Sequence, residues 1–387
     1  MKIGLYIHDI LFKTGGTEAN TAYIINSLQN LFANPEITVF SEKYHKKQKI
    51  ANIAEHLNNN FKTTINSDNL NLTQFTSGKN ILARFFFYTK MHKASKIFDV
   101  FFNCSLNMYT FKSKFNIFIA HFPPYRKIHS GLVKSFPLLY HFANNRDKLF
   151  SSKYNLYITY SQFVFSWLNK IWNINSDRTA CINPAVSLIK KSFENKKNYI
   201  IICSRIEKSK EIDVLISAFL KSDIIMQNMK LFIIGAVIKD NIEYTNKIQS
   251  MISEYPDSVS LIKNPSREKI EEMYSLSKIF WHAKGYSFDE NTDPMAFEHF
   301  GLTTVEAMSA GCVPVVINKG GQREIVDEGI NGFRWDTPDE LIQKTLFLIQ
   351  NENERVRMSQ AAFDKSQNYS FDAFTNNLGI ILKRDHE

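Results

Sequence analysis

The sequence predicts an α/β chain of two domains, on three observations. Short apolar, strand-like runs alternate with helix-like segments almost throughout, the pattern of domains built on parallel sheets. The length, 387 residues, exceeds one ordinary core and suits two domains of about 150–200 residues. Near mid-chain the polar stretch Ser187–Asn198 (SLIKKSFENKKN) follows the turn signal Asn183-Pro184 and reads as a linker.

In the first half the strands are expected at Lys2–His8, Ile37–Ser41, Asp99–Asn103, Asn116–His121 and Leu156–Tyr160, each a short apolar run rich in Ile, Val, Phe or Tyr. In the second half they are expected at Tyr199–Ser204, Lys230–Ala236, Lys278–His282 and Cys312–Ile317. Helical spacing marks Glu18–Leu31, Glu211–Leu220, Arg267–Ser275 and Thr303–Ala310, with a further helix in the tail Tyr369–Leu382. No repeat of 20–50 residues is visible. Ligands of open α/β sheets bind at the carboxyl ends of strands, so a cleft between the domains is the expected site.

Apolar residues make up 44% and charged residues 22%, ordinary values for a globular chain. No run approaches the ~18–20 consecutive apolar residues of a membrane span. The start MKIGLYIHDILFKTGG lacks a small-residue cleavage site and reads as a first strand. Cys104, Cys181, Cys203 and Cys312 have no metal-ligand spacing, and free thiols in a reducing cytoplasm are expected.

The net charge of +9 conceals an asymmetry: residues 1–190 carry 23 Lys and Arg against 9 Asp and Glu, or +14, while the remainder carries 24 against 29, or −5. A basic half attracts phosphate groups, an anionic membrane surface or nucleic acid. The bland alternative is solvated lysine in a lysine-rich composition.

The most informative segment is Glu298–Val316, EHFGLTTVEAMSAGCVPVV. Phe300-Gly301 is a turn, Thr303 or Thr304 is placed to cap a helix that Gly311 stops, and Cys312-Val-Pro-Val-Val is a buried strand. A helix N-terminus behind a glycine turn offers backbone N–H groups and a positive dipole end to an anion. Glu298 and Glu306, eight apart, add two acceptor-only carboxylates beside it. That combination suits a ligand with both phosphates and hydroxyls, a nucleotide sugar. The plain alternative is one surface glutamate and one capping glutamate.

This segment resembles the E-x7-E signature of family-4 retaining glycosyltransferases. The match continues through Lys319-Gly-Gly-Gln-Arg-Glu-Ile-Val326 and Glu328-Gly-Ile-Asn-Gly-Phe333. The resemblance implies a GT-B fold, two Rossmann-like domains facing across a cleft. Residues 1–190 would bind the acceptor and 191–368 the nucleotide-sugar donor, with the tail 369–387 packing back on the first domain. It implies that Glu298 bonds sugar hydroxyls and Glu306 the ribose, and that the backbone of Phe300, Gly301, Leu302 and Thr303 faces donor phosphate and sugar.

Ser204-Arg205-Ile-Glu-Lys-Ser-Lys210 follows a strand and reads alone as a solvated basic turn. It is similar to the family's Arg-x4-Lys pair, which implies that Arg205 and Lys210 neutralise the departing diphosphate without a metal. Two departures stand out: Ser204 precedes the arginine and Glu211 follows the lysine, where glycines are usual. Glu211 would put an anion near the phosphates.

Thr14-Gly15-Gly16-Thr17-Glu18 lets backbone approach an anion as a helix opens, and reads equally as a plain strand-to-helix turn. The resemblance gives Gly16 a role toward diphosphate and acceptor. His121, at the end of a strand, is alone more often a structural hydrogen-bonder; the resemblance implies contact with the donor sugar. Ser161 and Asn183-Pro184 resemble cleft landmarks and read equally as helix cap and turn.

No Asp-x-Asp triplet occurs, and Asp289-Glu-Asn-Thr-Asp293 lacks the glycine and terminal glutamate of a calcium loop. No cofactor and no metal are expected, and no nucleic-acid partner. The expected reaction is transfer of a hexose from a UDP- or GDP-sugar to a hydroxyl of a glycan or lipid-linked acceptor, with retention. The expected setting is the cytoplasm, with peripheral contact to an anionic membrane through Arg84-Phe-Phe-Phe-Tyr-Thr-Lys-Met-His-Lys93 and Tyr125-Arg126-Lys127. Glu298-His-Phe-Gly and His121-Phe-Pro-Pro resemble mannosyltransferases that extend lipid-linked oligosaccharides. The rivals are a non-catalytic sugar-nucleotide or glycan-binding module and a sugar-nucleotide epimerase on the same fold.

Overall fold

The structure is a computed structural model that describes residues 1–8, 10, 15–43, 52–76, 81–106, 108–123, 150–189 and 195–384, except the side chains of 81–85, 239 and 384. The chain divides into two compact units, Met1–Ala185 with Phe371–Glu387, and Val186–Ser370. The division falls at 185/186 and 370/371, against the expected 190/191 and 368/369.

The first unit is a seven-stranded parallel sheet of Lys2–Ile7 (β1), Glu36–Lys43 (β2), Leu70–Thr76 (β3), Val100–Asn103 (β4), Phe115–Ala120 (β5), Leu156–Thr159 (β6) and Thr179–Cys181 (β7), in the order β3-β2-β1-β4-β5-β6-β7. Successive residues of a strand point to opposite faces, and one face of this sheet is mainly aliphatic while the other is mainly aromatic. Ile3, Leu5, Ile117, Ile119, Leu156 and Ile158 enter an aliphatic core. Tyr6, Phe101, Phe118 and Tyr157 enter an aromatic one on the other side. Gly4 lies where the Phe101 ring crosses β1, and a Cβ there would meet the ring at 2.3 Å.

The tail helix Phe371–Arg384 packs on helix Gly16–Leu31 of this unit. Leu378 and Leu382 join the aliphatic core, the Ser27 and Thr375 hydroxyls lie 2.7 Å apart in a hydrogen bond, and Gly379 leaves room for Leu31.

The second unit is a six-stranded parallel sheet of Lys197–Cys203 (β8), Lys230–Gly235 (β9), Val259–Lys263 (β10), Ser277–His282 (β11), Val313–Ile317 (β12) and Phe333–Trp335 (β13), in the order β10-β9-β8-β11-β12-β13. Both orders are Rossmann-like, and the strand order reverses between β1 and β4 and again between β8 and β11. Ile200, Ile202, Trp281 and Val315 fill one core of the second unit, while Ile201, Cys203, Phe280 and Val316 fill the other.

Of the expected helix starts, Arg267 is observed as such and the others are off by one or two residues; two of them change the reading of a cap. The helix after the Phe300-Gly301 turn begins at Leu302 with Gly301 as its N-cap, so neither Thr303 nor Thr304 caps it. Gly301 has φ 131°, which L side chains avoid, and a Cβ there would also meet the Gln322 amide. The helix expected at Glu18 begins at Gly16. Its N-cap is Gly15, whose N–H donates to the Glu18 carboxylate at 3.1 Å.

Candidate functional site

In the second unit, three elements carry the sequence-predicted residues to the reversal point between β8 and β11. Pairing of β8 with β9 continues past Cys203, since Ser204 N–H donates to Ile234 and Ile206 N–H to Ala236. A short 3-10 turn, Lys208–Lys210, then ends in Glu211, which adopts φ 51° and starts helix Ile212–Leu220. β11 ends in His282, with Lys284 two residues beyond. The third element, Phe297–Gly301, is held from behind: Gly321 N–H donates to the Glu298 carbonyl at 2.8 Å, and Gly320 and Gly321 lie so close to this backbone that a Cβ on either would collide with it.

These elements converge on the Glu298 carboxylate. Its Oε2 accepts a charge-assisted hydrogen bond from Lys210 Nζ at 2.8 Å. The same oxygen lies 3.5 Å from His282 Nε2 and 3.9 Å from Lys284 Nζ. Burial alone would raise the Glu298 carboxyl, but Lys210, Lys284 and His282 together hold it well below the usual carboxylate range. Burial pushes His282 and Lys284 down from their ordinary values. Glu298 is therefore a fixed anion, able to accept hydroxyl protons and unable to donate one near neutral pH.

Glu211 turns its carboxylate to the loop after β11. Its carboxylate is buried and accepts from Tyr286 N–H at 2.6 Å and Ser287 N–H at 2.8 Å. The carbonyls of the same loop are gathered by Lys319, whose Nζ donates to Gly285, Tyr286 and Phe288 at 3.1, 2.9 and 2.9 Å. Both loop clamps come from residues whose roles the sequence did not signal. Arg205 is different: its side chain is 58% exposed and lies 3.0 Å from Glu207 in its own loop, not against Glu298.

Glu306 lies on helix Leu302–Ser309. Its Oε1 accepts from Arg267 Nη1 at 2.7 Å, and Arg267 also bonds Glu271 at 2.9 Å. Tyr274 donates from its hydroxyl to the Thr303 carbonyl at 3.2 Å. In sequence, Phe300–Thr303 lies between the two glutamates. The motifs give no role to Arg267, His282 or Lys284, and include Lys319 only as the first residue of a matching run. Arg267 opens an expected helix and His282 ends an expected strand, so position alone could have flagged those two.

Gly16 and His121 belong to the first unit. Gly16 starts its helix, and His121 follows β5 with Nε2 3.3 Å from the Cys104 carbonyl and its ring packed edge-on to Tyr160. Burial pushes the imidazole down to about 4, so it is neutral at ordinary pH. Ser161 caps helix Gln162–Trp172 through Val164 N–H, and Asn183 donates to the Tyr160 carbonyl. Tyr125, Arg126 and Lys127 lie outside the described residues, as does the Arg84 side chain.

Comparison with known proteins bears on both units. Residues 187–365 match the family described as glycosyl transferases group 1. The chain is 26% identical over 267 residues to alpha-1,3/1,6-mannosyltransferase ALG2 of Saccharomyces cerevisiae, a match covering 61% of this chain and 52% of that protein. It is 26% identical over 217 residues to a sucrose synthase of Melioribacter roseus, covering 49% of this chain and 25% of that one. The matches thus span a quarter to about half the length of these relatives. Among solved structures, Anabaena HepE in complex with UDP superposes with a TM-score of 0.72 at 16% identity, over 99% of this chain and 100% of that one; HepE has also been solved with UDP-glucose. Residues 187–365 are a glycosyl transferases group 1 domain, carried in a GT-B fold of two parallel-sheet, Rossmann-like units.

Proposed function

We propose that the chain is a retaining glycosyltransferase that binds a nucleoside-diphosphate sugar on its second unit and moves the hexose to a hydroxyl of a glycan or lipid-linked acceptor. The observation that carries this reading is the Glu298 carboxylate, fixed as an anion by Lys210 beside an uncapped helix N-terminus at the reversal point of the sheet. Glu298 holds sugar hydroxyls, Glu306 the ribose, and the Phe300–Thr303 backbone the phosphates. Arg205 and Lys210 take up the charge of the departing diphosphate, so no metal is needed. Gly16 and His121 act from the first unit, His121 as a neutral hydrogen-bonding group. No carboxylate is assigned as a nucleophile: the acceptor oxygen bonds the anomeric carbon from the face on which the bond to the diphosphate breaks, and the departing phosphate takes the acceptor proton. Support comes from the UDP and UDP-glucose complexes of HepE and from the mannosyltransferase named among the relatives.

The test begins with thermal shift against UDP, GDP, UDP-glucose and GDP-mannose. A bound ligand at ~100 times its dissociation constant stabilises by about 2.7 kcal/mol. Glu306→Ala then weakens nucleotide binding, while Glu298→Ala lowers turnover more than nucleotide affinity. Equal, small effects at both positions overturn the assignment. Activity persists in EDTA; complete loss with rescue by manganese overturns the metal-independent reading. Slow donor hydrolysis without acceptor distinguishes the enzyme from a binding module, and an unchanged donor mass with an altered sugar identifies an epimerase.

A further inference from the structure

Around Glu298 one basic group is bonded and another polar group is left incomplete. Lys210 makes a full hydrogen bond at 2.8 Å. His282 is 5% exposed, yet neither of its ring nitrogens completes a hydrogen bond with a described residue, and Nε2 stops 3.5 Å from Glu298 Oε2. Buried polar groups are ordinarily hydrogen-bonded, and leaving one unsatisfied costs about 1–3 kcal/mol. An orphaned imidazole at the end of β11, facing a carboxylate at the reversal point of the sheet, is therefore explained best by a missing partner.

We propose that His282 and Glu298 together hold one hydroxyl of the donor sugar, His282 as donor and Glu298 as acceptor. A hydroxyl oxygen is both donor and acceptor. The 3.5 Å gap between Nε2 and Oε2 admits one oxygen at about 2.8 Å from each. A neutral imidazole protonated on Nε2 supplies the N–H, and Glu298 accepts the hydroxyl proton. Burial, with Lys210 and Lys284 close by, keeps the ring neutral, so the pair reads a hydroxyl and not a second anion. This assignment rests on the donor-site reading above and adds a positional consequence: the donor must carry a free hydroxyl at the carbon facing β11.

The experiment measures dissociation constants of UDP, GDP, UDP-glucose and GDP-mannose by calorimetry for wild type, His282→Leu and His282→Gln. Leu keeps the volume and removes the donor; Gln keeps an N–H near the place of Nε2. The expected result is about tenfold weaker nucleotide-sugar binding for H282L, the worth of one hydrogen bond. H282Q should stay within a few-fold of wild type, and the affinity of the free nucleotide should be unchanged in both. If nucleotide and nucleotide sugar weaken together, or neither changes, His282 does not touch the sugar. If H282L fails to fold, His282→Ala takes its place under the same criteria: a nucleotide-sugar affinity about tenfold below wild type with unchanged nucleotide affinity places the contact on the sugar, and parallel loss of both, or loss of neither, overturns it. Failure of the wild type to bind any of the four overturns the donor-site reading itself, and this inference with it.

Discussion

Lys210 Nζ lies 2.8 Å from Glu298 Oε2 although 88 residues separate the two in sequence, and their side chains are only 14% and 21% exposed. The contact joins the turn after β8 to the segment before helix Leu302–Ser309, so it both builds the site and ties two elements of the second unit together. Hydrogen bonds to charged groups contribute about 1.5–3 kcal/mol, and breaking one partner of a shielded pair leaves the other uncompensated.

Glu298→Gln should therefore destabilise the second unit by about 2 kcal/mol, because Lys210 and Lys284 are left facing each other without their shared anion. Lys210→Met should cost less, since Lys284 and His282 remain near the carboxylate. The double variant should fall well short of the sum of the two singles, as residues in contact do. Urea unfolding of the three proteins measures this, and strict additivity contradicts the pairing.

Glu211 yields a second prediction. It holds φ 51°, where a non-glycine residue costs roughly 1–2 kcal/mol, and its carboxylate offsets that cost by capping Tyr286 and Ser287. Glu211→Ala keeps the strain and loses the caps; Glu211→Gly loses the caps and relieves the strain. Alanine should be the more destabilising by about 1 kcal/mol. Both variants should speed proteolytic cleavage within 285–288 if the caps hold that loop. Unchanged cleavage rates would show that Lys319 alone suffices.

Much of this architecture was legible because buried parallel strands are apolar throughout. Every central strand was found to within a few residues. The four strands that escaped are β3, β7, β10 and β13, and each is an edge of its sheet. An edge strand is half solvated and mixes polar residues into short runs, as in LNLTQFT of β3 or the three residues of β7 and β13. Local spacing marked the segment that carries Glu298, the Gly301 turn and Glu306. The site was opaque where a side chain reaches across the fold. Nothing near Arg267 in sequence marks Glu306 as its partner, and nothing near Glu211 marks Tyr286. The capping threonines were misread because Gly301 takes the N-cap place itself.

Stability should fall as the solution is acidified below neutrality. Burial holds His121 at about 4 against about 6.5 for an unfolded histidine. In that window the unfolded chain binds the extra proton, so stability declines as pH drops from about 6.5 and levels off below about 4. The slope from one such group is at most about 1.4 kcal/mol per pH unit. His282 is shifted the same way. Glu298 is shifted down as well; its contribution is intact above about 4.3 and is lost only at lower pH. Urea midpoints at pH 7 and pH 5 should therefore differ in wild type, and His121→Asn should shrink the difference. An equal difference in the variant would mean that His121 is protonated in the folded protein at pH 5.

The basic first half motivates the last prediction, peripheral binding to an anionic surface. No helix among the described residues is long and apolar enough to cross a membrane. The structure divides the aromatic residues of helix Ile81–Ala94: Phe87 is buried in the aromatic core, whereas Phe86 is 62% exposed. Lys90, Lys93 and Lys96 are exposed near it, and Ile97 is 66% exposed. Exposed apolar side chains among lysines suit the interface of a bilayer, where each basic residue contributes about 1 kcal/mol. Vesicles of phosphatidylcholine alone and with phosphatidylserine, sedimented with the protein at low salt, separate the cases. Binding should occur only to the anionic vesicles and should weaken as salt shortens the Debye length to ~8 Å at physiological ionic strength and less beyond. Arg84→Glu with Lys90→Glu should reduce it several-fold, whereas Phe86→Ser should lower binding at every salt concentration, because the apolar contribution is unscreened. A wild-type protein that stays in the supernatant with both vesicle sets at low salt has no contact with an anionic membrane through this helix.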